Sequence, residues 1–202
     1  MTPAWILHAD AELLVVNKPA GLLCQPGLGP ELADSLITRL QRHWPAAQLV
    51  HRLDRDTSGL LLVALTPELH RGLSRLFAER LVEKCYVADV QGVPAQPQGR
   101  IELPIAKRQH RPPLYGIDPA GKACCTDWQR LAALADTSRL ALWPRTGRSH
   151  QLRVHLQAIG HPIVGDPLYG QPADRLHLHA AELRFRHPFS AEPLSFSAAL
   201  PF

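Results

Sequence analysis

The chain has few cysteines, few lysines and no long apolar run, and each shortage excludes something. Its four cysteines are Cys24, Cys85, Cys124 and Cys125, none spaced as C-x-x-C and two of them adjacent. That pattern suits neither a disulfide framework nor a zinc site. The longest apolar run, Leu60 to Leu65, spans six residues, far short of the ~18 that cross a bilayer. The opening Met-Thr-Pro-Ala-Trp-Ile-Leu-His-Ala-Asp has no basic leader before a long apolar stretch, so no export signal is expected. A cytoplasmic location without membrane attachment follows. No repeat, Pro-rich tract or linker interrupts the 202 residues, so one domain over 1–202 is expected, acting as a monomer.

What the chain has is a globular balance, with 46% apolar and 20% charged residues. The formal net charge is +4, and 18 of the 22 basic residues are arginine. Arginine suits bidentate phosphate contact and stacking on bases. Leu13 to Val16, Leu60 to Leu65 and Lys84 to Val90 read as strands. Ala123–Leu131 and Arg139–Trp143 suggest a strand pair, and His179–Phe185 and Leu194–Ser197 suggest closing strands. Helical spacing runs through Ala33, Leu36, Ile37, Leu40 and Trp44. Thr66-Pro67-Glu68 has the order of an N-cap, first-turn proline and first-turn acid. Ser149 to Ile159 has helical character, ended by Gly160. Residues 91–122 suggest loops and short edge strands. Strands outnumber helices without steady β-α-β alternation, which predicts an α+β fold on a mixed sheet.

Chemistry concentrates in two segments. His51-Arg52-Leu53-Asp54-Arg55-Asp56-Thr57-Ser58-Gly59 precedes the buried strand. An EF-hand loop started at Asp54 would need an acid where Leu65 stands. The D-x-D-x-T pattern of phosphatases follows an apolar strand, whereas here the strand comes after it. A glycosidase pair is disfavoured because Asp54 and Asp56 diverge in an extended loop. An ordinary charged turn would account for Asp56 to Gly59. The alternative is one acid held by cations: Asp54 has arginines at 52 and 55, which favour its ionised form and leave it able to act as nucleophile or base.

The second segment is Thr146-Gly147-Arg148-Ser149-His150-Gln151-Leu152-Arg153-Val154-His155. Residues 139–165 hold four arginines (139, 145, 148, 153) and no acid, which equals the whole net charge of +4. A helix starting after Gly147 would make an anion site. Arg148, Gln151 and His155 would share one face, with Leu152 and Arg153 turned partly to the core.

At these residues the chain resembles the RluA family of RNA pseudouridine synthases. Val15-Val16-Asn17-Lys18-Pro19-Ala20-Gly21-Leu22 resembles the first motif of that family, and His51 to Leu60 its catalytic motif. Lys84-Cys85-Tyr86-Val87 resembles the K-x-Y element. Gly147–His155 and Gly160–Asp166 are similar to the third motif, and Leu178-His179-Ala180 with His187-Pro188 to the C-terminal signature. The likeness covers about residues 12–190. It implies a pseudouridine synthase fold: a mainly antiparallel mixed sheet, flanking helices and a central RNA-binding cleft. It implies an isomerase that breaks the uridine C1′–N1 bond, rotates the uracil and rejoins it through C5, with no metal and no organic cofactor. Asp54 would be catalytic, by attack on C1′ or removal of the C2′ proton. Tyr86 would stack on the flipped uracil, Leu152 would wall its pocket, Arg153 would pair with Asp54, and Arg52 would fill the place the base leaves. Arg55, Arg145, Arg148, His150 and Gln151 would contact the RNA backbone. With the first motif starting near residue 13, no S4 domain is expected before it. The partner would be structured RNA, as for compact members acting on ribosomal RNA and transfer-RNA stem-loops. The rival readings are a catalytically silent RNA-binding factor on the same fold and a hydrolase for free uridine.

Overall fold

The computed structural model describes residues 4–110 and 113–202; residues 111 and 112, within the loop-rich middle segment, lie outside it. In chain order the elements are β1 (Ile6–Ala9), β2 (Leu13–Lys18), α1 (Leu36–Gln41), β3 (Gln48–Leu49), β4 (Ser58–Ala64), α2 (Pro67–Ala78), β5 (Glu83–Gln91), β6 (Gln98–Ile101), β7 (Ile105–His110), β8 (Pro113–Ile117), β9 (Thr126–Ala133), β10 (Thr137–Pro144), α3 (Gln151–Ala158), β11 (Leu178–Arg186) and β12 (Pro193–Ser197). A short 3₁₀ turn, Pro30–Leu32, precedes α1. The fold is α+β, as the strand-rich pattern predicts.

The chain forms two compact units: residues up to Glu83 with Ala180–Ala199, and Lys84–His179 with Leu200–Phe202. It passes between them near the starts of β5 and β11, so no linker or change in composition marks the passage.

In the first unit the strands run β1-β2-β4-β11, with β12 on β11 and β3 on β4. β2 and β4 are antiparallel, from Leu13 opposite Ala64 to Lys18 opposite Gly59. Every residue of β4 is buried, which explains its unbroken apolar run. α2 starts as its sequence predicts: Thr66 accepts a hydrogen bond from Leu69 N and Pro67 takes the first turn. Its Leu69, Leu73 and Leu76 join Leu13, Val15, Leu60, Leu62 and Phe185 in one core. α1 opens on a capping box of Ser35 and Thr38. Gly59, at φ +117°, is needed for space as well as conformation, because a Cβ there would sit 2.4 Å from Ala180 O.

In the second unit the order is β5-β10-β9-β6, all antiparallel, and β7 and β8 form a separate hairpin. α3 packs against β8 and β10. Its buried Leu152 and Leu156 enter a core with Ala88, Val90, Leu140 and Leu142. A smaller cluster of Ile105, Cys124, Val154 and Tyr169 lies beneath the hairpin. Cys124 is buried and Cys125 partly so, neither in a disulfide.

Candidate active site

In the first unit, the loop between β3 and β4 carries Asp54, half-buried, with Arg52 exposed beside it. The backbone on both sides of Asp54 is tied down. Leu53 is buried, and its N–H donates to Cys24 Sγ at 3.3 Å while that thiol donates to Leu53 O at 3.2 Å. On the other side Lys18 Nζ donates to Arg55 O at 2.8 Å, and also to Leu22 O at 2.8 Å and Pro19 O at 2.9 Å. Lys18 has no exposed surface, and its three protons meet three carbonyls. Burial pulls its pKa down to about 8, opposed by the nearby Cys24, Asp56 and Asp54. The Asn-Lys-Pro-Ala-Gly segment, part of the first-motif likeness, is therefore the fastening of the Asp54 loop.

Two neighbours of Asp54 have structural duties. Arg55 donates to Asp56 Oδ1 at 3.0 Å, and its side chain stays 57% exposed. His51 accepts from Leu62 N at 3.0 Å and stacks on Phe77, with centroids 4.3 Å apart.

In the second unit, Tyr86 on β5 lies opposite Leu142 and packs against the core that contains Leu152. Arg153, buried on α3, is gripped by Asp166: Nε to Oδ2 and an Nη to Oδ1, both at 2.7 Å. Both side chains are excluded from solvent, at 3% and 0% exposure. Asp166 Oδ1 also accepts from the backbone N–H of Leu168 and Tyr169. The guanidinium carbon lies 5.0 Å from the centre of the Tyr169 ring. Tyr169 Oη meets His150 Nδ1 at 2.7 Å and accepts from Tyr115 N at 3.0 Å. Sequence reasoning placed Asp166 only within the third-motif likeness, with no role of its own, and missed Tyr169. Their signal was an acid and an aromatic residue just after a tight turn.

The polar face of α3 is not where its spacing suggests. Gln151 is buried, and its amide oxygen accepts from Thr146 Oγ1 and Arg148 N while its NH2 donates to Cys125 O and Thr126 Oγ1. All four of its hydrogen-bonding positions are filled by protein, so the expected contact with RNA backbone is corrected to a clamp on the 146–148 loop. His155 is fully buried between Thr126 Oγ1 and Leu103 O, and burial lowers its pKa against the pull of the Leu103 carbonyl. His150 starts the helix in the left-handed region, at φ 54°.

The excess charge of residues 139–165 is also largely matched. Arg139 pairs with Asp89, Arg145 with Asp127 and Arg153 with Asp166. Arg145 remains exposed but shares Asp127 with Arg100. Arg148 alone of the four forms no ion pair among the described residues, and it stands exposed before α3. Among the described residues no three His, Cys, Asp or Glu side chains gather as metal ligands, and no helix is long and apolar enough to cross a membrane.

Comparison with known proteins bears on these residues. Residues 12–158 match the family described as RNA pseudouridylate synthase. The chain is 46% identical, over 98% of its length, to the dual-specificity RNA pseudouridine synthases RluA of Yersinia pestis and of Escherichia coli K12, covering 99% and 93% of those proteins. Among solved structures, human RNA pseudouridylate synthase domain containing 1 is similar at a TM-score of 0.81 and 32% identity, over all of this chain and 87% of that one.

Proposed function

Since this chain belongs to the RNA pseudouridylate synthase family, we propose that Asp54 is the catalytic group with which it isomerises uridine to pseudouridine in structured RNA. The enzyme is an RNA pseudouridine synthase, an isomerase, and RNA is its substrate. The observation that most supports the role of Asp54 is the double fastening of its loop by Cys24 and Lys18, which fixes a half-buried carboxylate at the motif the family shares. Preorganising a reacting group within a fraction of an ångström is worth several kcal/mol of barrier.

The isomerisation conserves atoms. The C1′–N1 bond breaks, the uracil turns, C1′ joins C5, and the C5 proton leaves as N1 is protonated. Asp54 acts at the ribose, on C1′ or on the C2′ proton. Tyr86 stacks on the uracil, a contact worth roughly 1–3 kcal/mol per base, and Leu152 bounds its apolar side. The Asp166 grip holds in one pose the guanidinium of Arg153, the residue that in the family's arrangement partners the catalytic aspartate. Arg52 offers an exposed guanidinium to the vacancy in the RNA stack. Residues 1–202 act as one catalytic domain in the cytoplasm, as a monomer and without metal or organic cofactor. Because the relatives above are named dual-specificity enzymes, we propose more than one RNA target, in ribosomal and transfer RNA. Site-by-site pseudouridine mapping of both RNA classes, with and without the gene, tests this: uridines that lose modification in both classes support it, and an unchanged map contradicts it.

A further inference from the structure

Several cations of the second unit can be sorted by whether a carboxylate matches them. Arg100, Arg108, Arg139, Arg145 and Arg153 each sit against a carboxylate. Lys107, Lys122 and Arg148 have no ion pair among the described residues, and all three line one cavity of about 510 Å3. No acid lines that cavity, and Tyr115 contributes an aromatic wall. The volume falls within the ~300–1,000 Å3 of small-ligand sites.

The frame of the cavity is fixed by backbone. Ile105 and Lys122 exchange two hydrogen bonds, at 3.0 and 2.9 Å. Gly121 lies so close to β7 that a Cβ there would come within 2.5 Å of the Ile105 carbonyl carbon. Lys107 lies two residues along β7 from Ile105, on the same face, and opposite Tyr115 in the β7–β8 register. Tyr115 is tied through its N–H to Tyr169 Oη, and its ring centre is 5.0 Å from that of His150. Arg148 is set by the bond from its N–H to Gln151 Oε1, and a Cβ on the adjoining Gly147 would meet nothing within 4 Å. Arg108, the next residue on β7, is taken up by Asp118. On β7, therefore, Lys107 lines the cavity without an ion pair while the neighbouring Arg108 is matched.

We propose that this cavity is a second RNA subsite, holding the phosphate and base of a nucleotide other than the uridine that reacts. This rests on the reading that the enzyme isomerises a uridine in RNA. Three unpaired cations with no acid select a phosphodiester, and the aromatic wall accepts a base face of any sequence. The four frame bonds set the subsite before RNA arrives, so its contribution is to binding and register, with the chemical step left to other residues.

The test uses the full chain, a synthetic stem-loop RNA centred on a uridine mapped as converted, and Lys107→Gln/Lys122→Gln beside Lys107→Arg/Lys122→Arg. Each lost phosphate contact lowers the slope of log K against log salt by ~0.7–0.9, so the glutamine pair should lower it by ~1.4–1.8 and weaken binding about tenfold or more. Conversion at saturating RNA should stay within about twofold of wild type, since uniform binding is what is lost. The arginine pair should restore the slope. Tyr115→Leu should weaken binding about tenfold with the slope unchanged. Wild-type protein that makes pseudouridine, with a glutamine pair of unaltered slope and affinity, overturns the subsite alone. Wild-type protein that makes no pseudouridine in any RNA overturns the functional reading and the subsite with it.

Discussion

Replacing Asp166 by Asn should cripple the enzyme without touching any residue that meets substrate. Asp166 takes four hydrogen bonds in a site closed to solvent: two from the Arg153 guanidinium and two from the N–H groups of Leu168 and Tyr169. Truncation to Ala would strand a buried cation, at ~3–5 kcal/mol, and two N–H groups at ~1–3 kcal/mol each. That sum rivals a typical total stability of ~5–15 kcal/mol, so the Ala protein should not fold. Asn keeps an oxygen for the two N–H groups and loses the charge, which limits the cost to about 3–5 kcal/mol. For a chain of this size that lowers Tm by about 6–20 °C. A guanidinium displaced by ~1 Å should slow conversion about 100-fold. Urea unfolding followed by tryptophan fluorescence reads the first quantity, and single-turnover pseudouridine formation reads the second. Arg153→Met/Asp166→Asn separates them: no buried charge is left uncompensated and the Asn oxygen still accepts from Leu168 and Tyr169 N–H, so stability is regained while the enzyme stays inactive. An Asp166→Asn protein as stable and as fast as wild type would refute the reasoning. So would a double variant that recovers both properties, since Arg153 would then have no part in the chemistry.

Two further outcomes are expected. Lys18→Met removes the tie to Arg55 O and leaves three carbonyls without a donor, so stability should fall by ~2–4 kcal/mol. Conversion should slow while RNA affinity holds; an unchanged single-turnover rate would show that Lys18 does not position the Asp54 loop. Acid should destabilise the fold through His179, whose pKa burial lowers to about 4 from 6.5, with the Arg175 charge adding to the effect. Between those values the unfolded chain binds the proton and the folded chain does not, so stability is lost as pH falls from 6.5 to 4, by ~3 kcal/mol in all. Urea midpoints at pH 7 and 4.5 should converge less for wild type than for His179→Asn, and equal pH dependence would contradict this assignment.

Much of the fold was legible because the deciding signals are local. The run from Leu60 to Leu65 marks a fully buried strand, and Thr66-Pro67 writes its own helix start. β1 escaped because its four residues alternate only between partial and full exposure. The partners in the site lie far apart in sequence, and there the pattern misleads. Gln151 and His155 look like an exposed polar face until Thr126 and the carbonyls of Cys125 and Leu103 arrive from other segments. The acid-free stretch of 139–165 looks strongly basic until Asp89, Asp127 and Asp166, all outside it, neutralise three of its arginines. Lysines 107 and 122, scattered in the loop-rich middle, carry no motif, and only the hairpin brings them to Arg148.

The central claim is that Asp54 performs the isomerisation on RNA that the rest of the protein binds. Its most direct test is single-turnover conversion by Asp54→Asn on an RNA that the wild-type protein modifies, with affinity measured in parallel. The predicted result is no detectable pseudouridine at an affinity close to wild type. Conversion by the Asn protein at a rate near that of wild type would contradict it.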